Sequence, residues 1–345
     1  MTQFVTSAVQ GRSVAPTSPA PAADRARAVE AAADQARLAP SVHNTQPWTL
    51  IARPDRLELR ADRTRQLTVL DPTGRELVQS IGAALFNARA ALAAAGWSVT
   101  VERMPDPADP DLLAVVTPLA FAGDPDPDLA VLAPEIARRR TNRRRFTDVP
   151  VPAEVVDALN AAVAAEGAQL IPVLTTEHRL LIATLTQQAD AVQTENPAYR
   201  AELERWTTRP RVTGDGVPSS AVPQVDGSAE DDVPIRAFAA GGAGVLPART
   251  RSSVHQTMVV LATRQDDPEA WLRSGEALQR LLLELTSRGL VASPITQALE
   301  TIPTRARLGE ALTWGAHPQM LLRIGSAEPT EPTARRPRTD VIRDR

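Results

Sequence analysis

The chain has 345 residues, carries a net charge of −3 and contains no cysteine, and all 38 of its basic residues are arginine. This composition excludes disulfide scaffolds, thiolate metal centres, cysteine nucleophiles, lysine Schiff bases and Walker-type phosphate loops, and it gives nucleic-acid binding no global electrostatic support. Four histidines, His43, His178, His255 and His317, are scattered without the i, i+4 spacing of a helical metal site, so no metal is expected.

The first 23 residues lack a basic residue before Arg12 and become rich in Pro, Ala, Ser and Thr, the composition of a flexible arm and not of a signal peptide. No apolar run is expected to reach the ~20 residues of a bilayer span, residues 112–121 being interrupted by Pro118, and a cytoplasmic protein is expected. Residues 24–38 read as a helix with Asp24 as N-cap, ended by Pro40. Strands follow at 48–52 and 57–61 around the turn Arg53-Pro54-Asp55. Asp71-Pro72 opens a long helix, with Thr73 and Glu76 spaced as a capping box and Gly96 as the stop; strands are read at 97–102 and 112–117.

The later part of the chain repeats this order. Laying Gly96 on Gly289 aligns Gly82 with Gly275, Leu85 with Leu278 and Leu92 with Leu285 without a gap, and Pro110-Asp111-Leu112-Leu113 resembles Pro318-Gln319-Met320-Leu321. The expected organisation is α+β: an arm at 1–23, related halves at 24–127 and 128–326, and an extended basic tail at 327–345. An insert at 207–250, rich in Gly, Pro and Ser, is placed as a lid over a ligand. Within it, residues 241–247 read as a flexible loop and not as a dinucleotide loop, since no strand precedes them and Pro247 blocks a following helix.

Two clusters carry the chemistry. Ala39-Pro40-Ser41-Val42-His43-Asn44-Thr45-Gln46-Pro47-Trp48 supplies two carboxamides, two hydroxyls, an imidazole and an indole between prolines that hold the backbone extended. It reads either as a helix stop with local turn bonds or as an edge that meets a ligand. Six of the eight residues from Arg138 to Arg145 are arginine, and Thr141 stands among them. Guanidinium forks match phosphate oxygens, so a nucleotide, a solvated basic face and a DNA-binding arm all account for the run. His43 could serve as a base or in packing; no carboxylate lies near it in sequence to orient it.

The first cluster resembles the flavin-edge motif of the nitroreductases, a Pro-Ser pair and an Asn before Gln-Pro-Trp, and Arg139-Arg140-Thr141-Asn142-Arg143 resembles their phosphate-binding Arg-x-Ser/Thr-x-Arg segment. The Ser-x-His-Asn-Thr-Gln-Pro-Trp form is more similar to the Acg-like actinobacterial branch, in which two nitroreductase-like halves are fused as a pseudo-dimer. Ser293 and Pro294 look like that branch's segment beside the isoalloxazine, and Arg335-Arg336 like its basic C-terminal segment.

The resemblance implies central sheets packed with helices, bound FMN, and hydride transfer from NAD(P)H to a nitroaromatic, quinone or similar acceptor, with no catalytic side chain required. Storage of FMN with little turnover is the alternative. The implied cofactor residues are Pro40, Ser41, Val42, His43, Asn44, Gln46, Arg139, Arg140, Thr141, Arg143, Ser293, Pro294, Arg335 and Arg336. Nucleic-acid and membrane partners are not expected, and a monomeric pseudo-dimer and a homodimer both remain open. The second half shows Glu166-Gly167-Ala168-Gln169 where its own Pro-Ser-x-x-Asn should stand, and the first half has only Arg12-Ser13-Val14 for an arginine motif, so one site per chain is expected.

Overall fold

The computed structural model describes residues 22–119, 124–218, 221 and 256–344. The arm up to residue 21, with Arg12-Ser13-Val14, together with His255, the stretch 241–247 and most of the expected insert, lie outside these residues.

The chain begins with α1 (Ala22–Ala36), β1 (Trp48–Ala52), β2 (Leu57–Ala61), α2 (Arg75–Ala94), β3 (Ser98–Arg103) and β4 (Leu112–Leu119). Short helices α3 (Pro127–Ala130) and α4 (Glu135–Arg138) lead to α5 (Ala153–Ala164), β5 (Gln169–Pro172), α6 (Thr176–Glu195) and α7 (Pro197–Thr207). The remainder is β6 (Thr257–Thr263), α8 (Pro268–Ser287), β7 (Val291–Pro294), α9 (Gln297–Glu300), α10 (Ile302–Leu312), β8 (His317–Gly325), α11 (Arg338–Val341) and β9 (Ile342–Asp344).

Two sheets result, ordered β3-β4-β2-β1-β9 and β5-β6-β8-β7. Reading the second from its other end gives β7-β8-β6-β5, the same order of elements as β3-β4-β2-β1, and every pair in these two sets is antiparallel. Corresponding pairs even share an irregularity, between Leu59 and Arg60 in β2–β4 and between Leu261 and Ala262 in β6–β8. Apolar strand residues face helices in both units: Leu50, Leu57 and Leu59 join a core with α1 and α2, while Val260 and Leu321 pack with α6, α9 and α10.

Helix α2 lies at the centre. It is buried on nearly every side, and the polar residues Arg75, Glu76, Gln79, Ser80 and Asn87 are buried along with the apolar ones. Its length and mean hydropathy of 1.3 would let it cross a bilayer, contrary to the expectation that no such run exists, yet 83% of that window is buried inside the protein. The main partner of α2 is α8, and the two approach through bare backbone. A Cβ on Gly82 would stand 2.0 Å from the Leu272 carbonyl oxygen and 2.9 Å from the Gly275 Cα, and one on Gly275 would stand 2.0 Å from the Gln79 carbonyl oxygen. Each glycine therefore meets the carbonyl three residues before the other, a reciprocal, twofold-like contact. Polar side chains seal it: Gln79 donates to Ser274 Oγ at 3.1 Å and Gln279 to Asn87 Oδ1 at 2.6 Å.

Three local expectations change. Asp24 is not an N-cap, because α1 is already helical at Ala22, and Asp24 pairs instead with Arg27. The Thr73–Glu76 capping box does not form. Gly74, left-handed at φ +78°, is the N-cap of α2, and the Asp71 carboxylate accepts the Leu77 N–H at 2.9 Å. The tail is not simply extended: its end forms α11 and β9, and β9 pairs in parallel with β1, closing the first sheet with the last residues described.

Gly82→Ala and Gly275→Ala should each lower the thermal midpoint, by about 1–3 kcal/mol of overpacking, because the added methyl meets backbone that cannot rotate away. The double substitution should cost less than the sum, since one separation of the helices relieves both clashes. Thermal denaturation of the four proteins checks this.

Candidate functional site

The loop between α1 and β1 is held in an unusual conformation. His43, Asn44 and Gln46 have φ of 44°, 54° and 49°, a left-handed run without glycine that costs roughly 1–3 kcal/mol per residue. Local bonds over-determine it. Ser41 Oγ accepts the Gln46 N–H at 2.9 Å, Ser80 Oγ on α2 accepts the Val42 N–H at 3.1 Å, and Arg65 Nε donates to the Thr45 carbonyl at 2.6 Å.

The loop is also clasped from two distant segments. Asn44 Nδ2 donates to the Gly216 carbonyl at 3.0 Å and the Ala334 carbonyl at 3.2 Å, while its Oδ1 accepts from Arg335 at 3.2 Å. Gln46 Nε2 donates to the Gly214 carbonyl at 2.8 Å, and its Oε1 accepts the Arg336 N–H at 2.9 Å. Gly214 is required here, because a Cβ would sit 2.2 Å from the Arg335 carbonyl oxygen. Asp215, held down to about 2 chiefly by bonds from Arg209 that overcome its burial, ties this segment to Arg65 as well.

The arginine run reaches the same place from the second unit. Thr141 bridges in parallel to Ala292 of β7, and the Asn142 N–H donates to the Ala292 carbonyl at 3.0 Å. Arg138 pairs with Glu135 and is exposed, Arg145 is exposed, and Phe146 is buried beneath the Arg323 guanidinium, 4.2 Å from its ring centre.

Two adjoining cavities lie between the loop, the run, α2 and β7. Pro40, Ser41, Thr141 and Arg143 line both. One, of about 950 Å³, has an apolar wall from Val42, Leu278, Leu282, Ala292 and Met320 and polar groups from Ser41, His43, Glu76, Gln79 and Ser80. Pro294, Thr296 and Gln297 complete it. The other, of about 940 Å³, is lined by Asn44, Arg139, Arg140, Gly216, Val217 and Arg335 among others, and no carboxylate lines it among the described residues.

The second cavity gathers buried cations. Arg139 is 5% exposed, its Nε has no hydrogen-bond partner, and burial, helped by Arg335 and Arg140, lowers it to about 9. Arg335 is lowered to about 10 by burial and by Arg140 and Arg37, and its Nε is likewise buried without a partner. Buried cations held together without a counter-charge are costly, and an anion with several acceptor oxygens would satisfy both the charge and the orphaned donors.

Of the fourteen residues named from the sequence, Pro40, Ser41, Val42, His43, Asn44, Arg139, Arg140, Thr141, Arg143, Pro294 and Arg335 line the joined cavities. Gln46, Ser293 and Arg336 do not. Gln46 and Arg336 spend their polar groups on each other and on Gly214 and Asp340, and Ser293 is a buried β7 residue whose hydroxyl has no partner. Trp48 is wholly buried in the first core. Glu76, Gln79 and Ser80 were missed. They are polar at helical spacing on one face of an otherwise apolar helix, a signal that the capping-box reading of Glu76 obscured. Glu166 lines neither of these two cavities and is tied to Arg89 at 2.5 Å and Arg280 at 2.9 Å.

The family model described as the nitroreductase family matches residues 136–326. The chain is 40% identical over 315 residues to "Putative NAD(P)H nitroreductase Rv3131" of Mycobacterium tuberculosis (strain H37Rv), covering 88% of each protein. It is 32% identical over 323 residues to "Putative NAD(P)H nitroreductase acg" of the same strain, covering 91% of this chain and 95% of that one. A solved structure titled as a putative nitroreductase from Anabaena variabilis is 9% identical, covers 90% of each chain and has a TM-score of 0.47. The chain belongs to the nitroreductase family, in the branch that contains the Acg protein.

Proposed function

We propose that this protein is an FMN-dependent oxidoreductase of nitroreductase type, which passes a hydride from NAD(P)H to a nitroaromatic, quinone or similar acceptor. The observation that carries this reading is the joined cleft, apolar with small polar groups at one end and ringed by uncompensated buried guanidiniums at the other. Those ends match a flat heteroaromatic ring and a phosphate, and the relatives' names supply the nicotinamide donor. Bound FMN supplies the hydride chemistry itself.

The chain's own residues bind and orient. Arg139, Arg140 and Arg335 hold the phosphate, with Thr141 adding a hydroxyl. Arg143, which lines both cavities, stands at the junction. Ser41 and the strained backbone at His43 and Asn44 present the ring edge, and Pro294 with Leu278 and Leu282 excludes water from the ring.

The reading includes one site in a chain built of two fused, related halves, with the first half supplying residues 40–44 and the second supplying the arginines. The reciprocal Gly82–Gly275 contact and the repeated strand order support the duplication. The pairing of those glycines places Glu276 opposite Ala83 and Arg89 opposite Leu282, and both apolar counterparts line the cleft. Where a second cleft would stand, Arg89 and Arg103 are locked onto Glu276, and Arg89 and Arg280 onto Glu166. Ion pairs fill that place.

FMN storage with little turnover is a second reading, favoured by one observation: Gly216, Val217, Pro218 and Ala221, at the start of the insert, line the basic cavity. Mixing the FMN-loaded protein with NADPH or NADH in a stopped-flow instrument separates the two. Bleaching at about 1 s⁻¹ or faster marks an enzyme, and a slower decay marks a store.

Purified protein should be yellow or take up FMN stoichiometrically, and a colourless protein that binds none would refute the reading. Arg139→Met should weaken FMN roughly 10–100-fold, the loss of a hydrogen-bonded charge, while raising the thermal midpoint of the flavin-free protein, because a buried uncompensated cation is removed. Riboflavin, lacking the phosphate, should bind both proteins equally.

The pH dependence has a definite sign. FMN affinity should rise as its phosphate takes a second charge near pH 6, hold level, and fall as pH rises through about 9, where Arg139 loses its proton. Flavin-free stability should move the opposite way above pH 9, because the unfolded chain still binds the proton that the folded one has released. Fluorescence titration and thermal melts across pH 5–11 check both.

A further inference from the structure

We propose that Gln297 sets the reduction potential of the bound flavin, and that Asp190 is the positioning residue that turns the Gln297 side-chain carbonyl into the cleft. The proposal rests on the FMN reading above. Gln297 opens α9, is 2% exposed and lines the apolar end of the cleft. Its Nε2 donates to Asp190 Oδ1 of α6 at 2.5 Å. A carboxylate only accepts, so this bond fixes which end of the amide faces α6 and which faces away. The Gln297 Oε1 accepts no hydrogen bond among the described residues, and it is not one of the polar atoms sealed inside the protein. The carbonyl oxygen therefore opens into the cavity that Gln297 lines.

The segment that carries this carbonyl is held on several sides. Ile295, Ala298 and Leu299 are buried in a core shared with Ile182 and Leu185 of α6, and the Ile295 N–H donates to the Leu321 carbonyl of β8 at 2.9 Å. One turn further along both helices, Gln193 Nε2 donates to Glu300 Oε2 at 2.7 Å, so α6 and α9 exchange two amide–carboxylate bonds of opposite sense. Gln79, the other carboxamide in the lining of this cavity, is turned the other way: its Nε2 donates to Ser274 and Gln319, and its Oε1 is sealed in the interior. Ser80 Oγ is spent on the Val42 N–H and the Glu76 carbonyl. The Gln297 carbonyl is thus a fixed acceptor, in place before a ligand arrives.

A fixed acceptor discriminates between the two redox states of a flavin ring. Apart from one imide N–H, the polar edge of the oxidised ring carries lone pairs, which a carbonyl oxygen repels. Uptake of a hydride with its electron pair leaves the nicotinamide donor oxidised and puts an N–H where the ring had a bare nitrogen. A carbonyl oxygen accepts from that N–H. The Gln297 carbonyl therefore favours the reduced ring over the oxidised one and raises the potential.

The test is the midpoint potential of the FMN-loaded protein at one fixed pH. Gln297→Met keeps the length of the side chain and removes the acceptor. It should weaken binding of reduced FMN relative to oxidised FMN about tenfold, a fall of about 30 mV in a two-electron midpoint. Asp190→Leu leaves Gln297 in place but releases its amide to turn, and the midpoint should again fall. That sign is diagnostic, because loss of a nearby negative charge by itself favours the reduced ring and raises the midpoint. Gln193→Met, which breaks the neighbouring bond without touching the cavity, should leave the midpoint at the wild-type value.

Equal midpoints in wild type and Gln297→Met would overturn the proposal. A midpoint in Asp190→Leu that rises or stays unchanged overturns it equally, as does a fall in Gln193→Met as large as that in Gln297→Met, which assigns the effect to helix packing. Should Gln297→Met not fold, the sign in Asp190→Leu decides alone. Flavin uptake, read first by absorbance, separates the cases: wild-type protein that takes up no FMN refutes the cofactor reading itself, whereas loaded protein with unmoved midpoints refutes only the roles of Gln297 and Asp190.

Discussion

Helices α2 and α8 touch where each lacks a side chain, and the rest of the molecule is positioned from that contact. With backbone carbonyls lying about 2 Å from where a Cβ would be, neither helix can slide or roll without a clash. The face of α2 beside the contact carries Glu76, Gln79, Ser80 and Ala83, and the face of α8 carries Leu278 and Leu282. One wall of the cleft is therefore set by the same packing that joins the two sheets. A small shift at Gly82 would move every group on that wall together, which couples stability and site geometry more tightly than a loop-built site would.

The opposite wall depends on a different economy. The 43–46 loop is strained and the guanidiniums of Arg139 and Arg335 repel each other, so the fold accepts unfavourable terms at both edges of one cavity. Side-chain bonds from Asn44 and Gln46 to residues 214–216 and 334–336 offset part of the strain. Nothing among the described residues offsets the charge in the basic cavity. An anion with several acceptor oxygens would supply that charge.

Much of this was legible in the sequence where information is local. Strands at 48–52 and 57–61 are read correctly around the turn Arg53-Pro54-Asp55, whereas the alignment of Gly82 with Gly275 gives no sign that the two glycines touch. Positions fixed by distant partners were not legible. The Thr73–Glu76 spacing satisfies a capping box, but a left-handed Gly74 and the Asp71 carboxylate take over that role, and Glu76 lines cavities instead. The final residues look like an extended basic tail until β1 is seen to offer an unpaired edge, and no local pattern reveals which edge a three-residue strand will choose. Gln46 and Arg336 carry the right chemistry for a ligand but meet each other first.

The pairing of β9 with β1 explains why Arg335 belongs to the site at all. Residues 333–336 run between β8 of the second unit and β9 on the first, and they pass directly over the 38–46 loop, where Arg335 donates to the Leu38 carbonyl and to Asn44. The basic cavity thus draws on three separated stretches, 139–143 through the β7 bridge, 335 through the β9 crossing, and 40–44 from the loop they enclose. Two cations brought from different units resist closure, and an anion between them rewards it. An anion bound between Arg139 and Arg335 would therefore favour the docking of the C-terminal strand, because it would lower the cost of placing the two guanidiniums together.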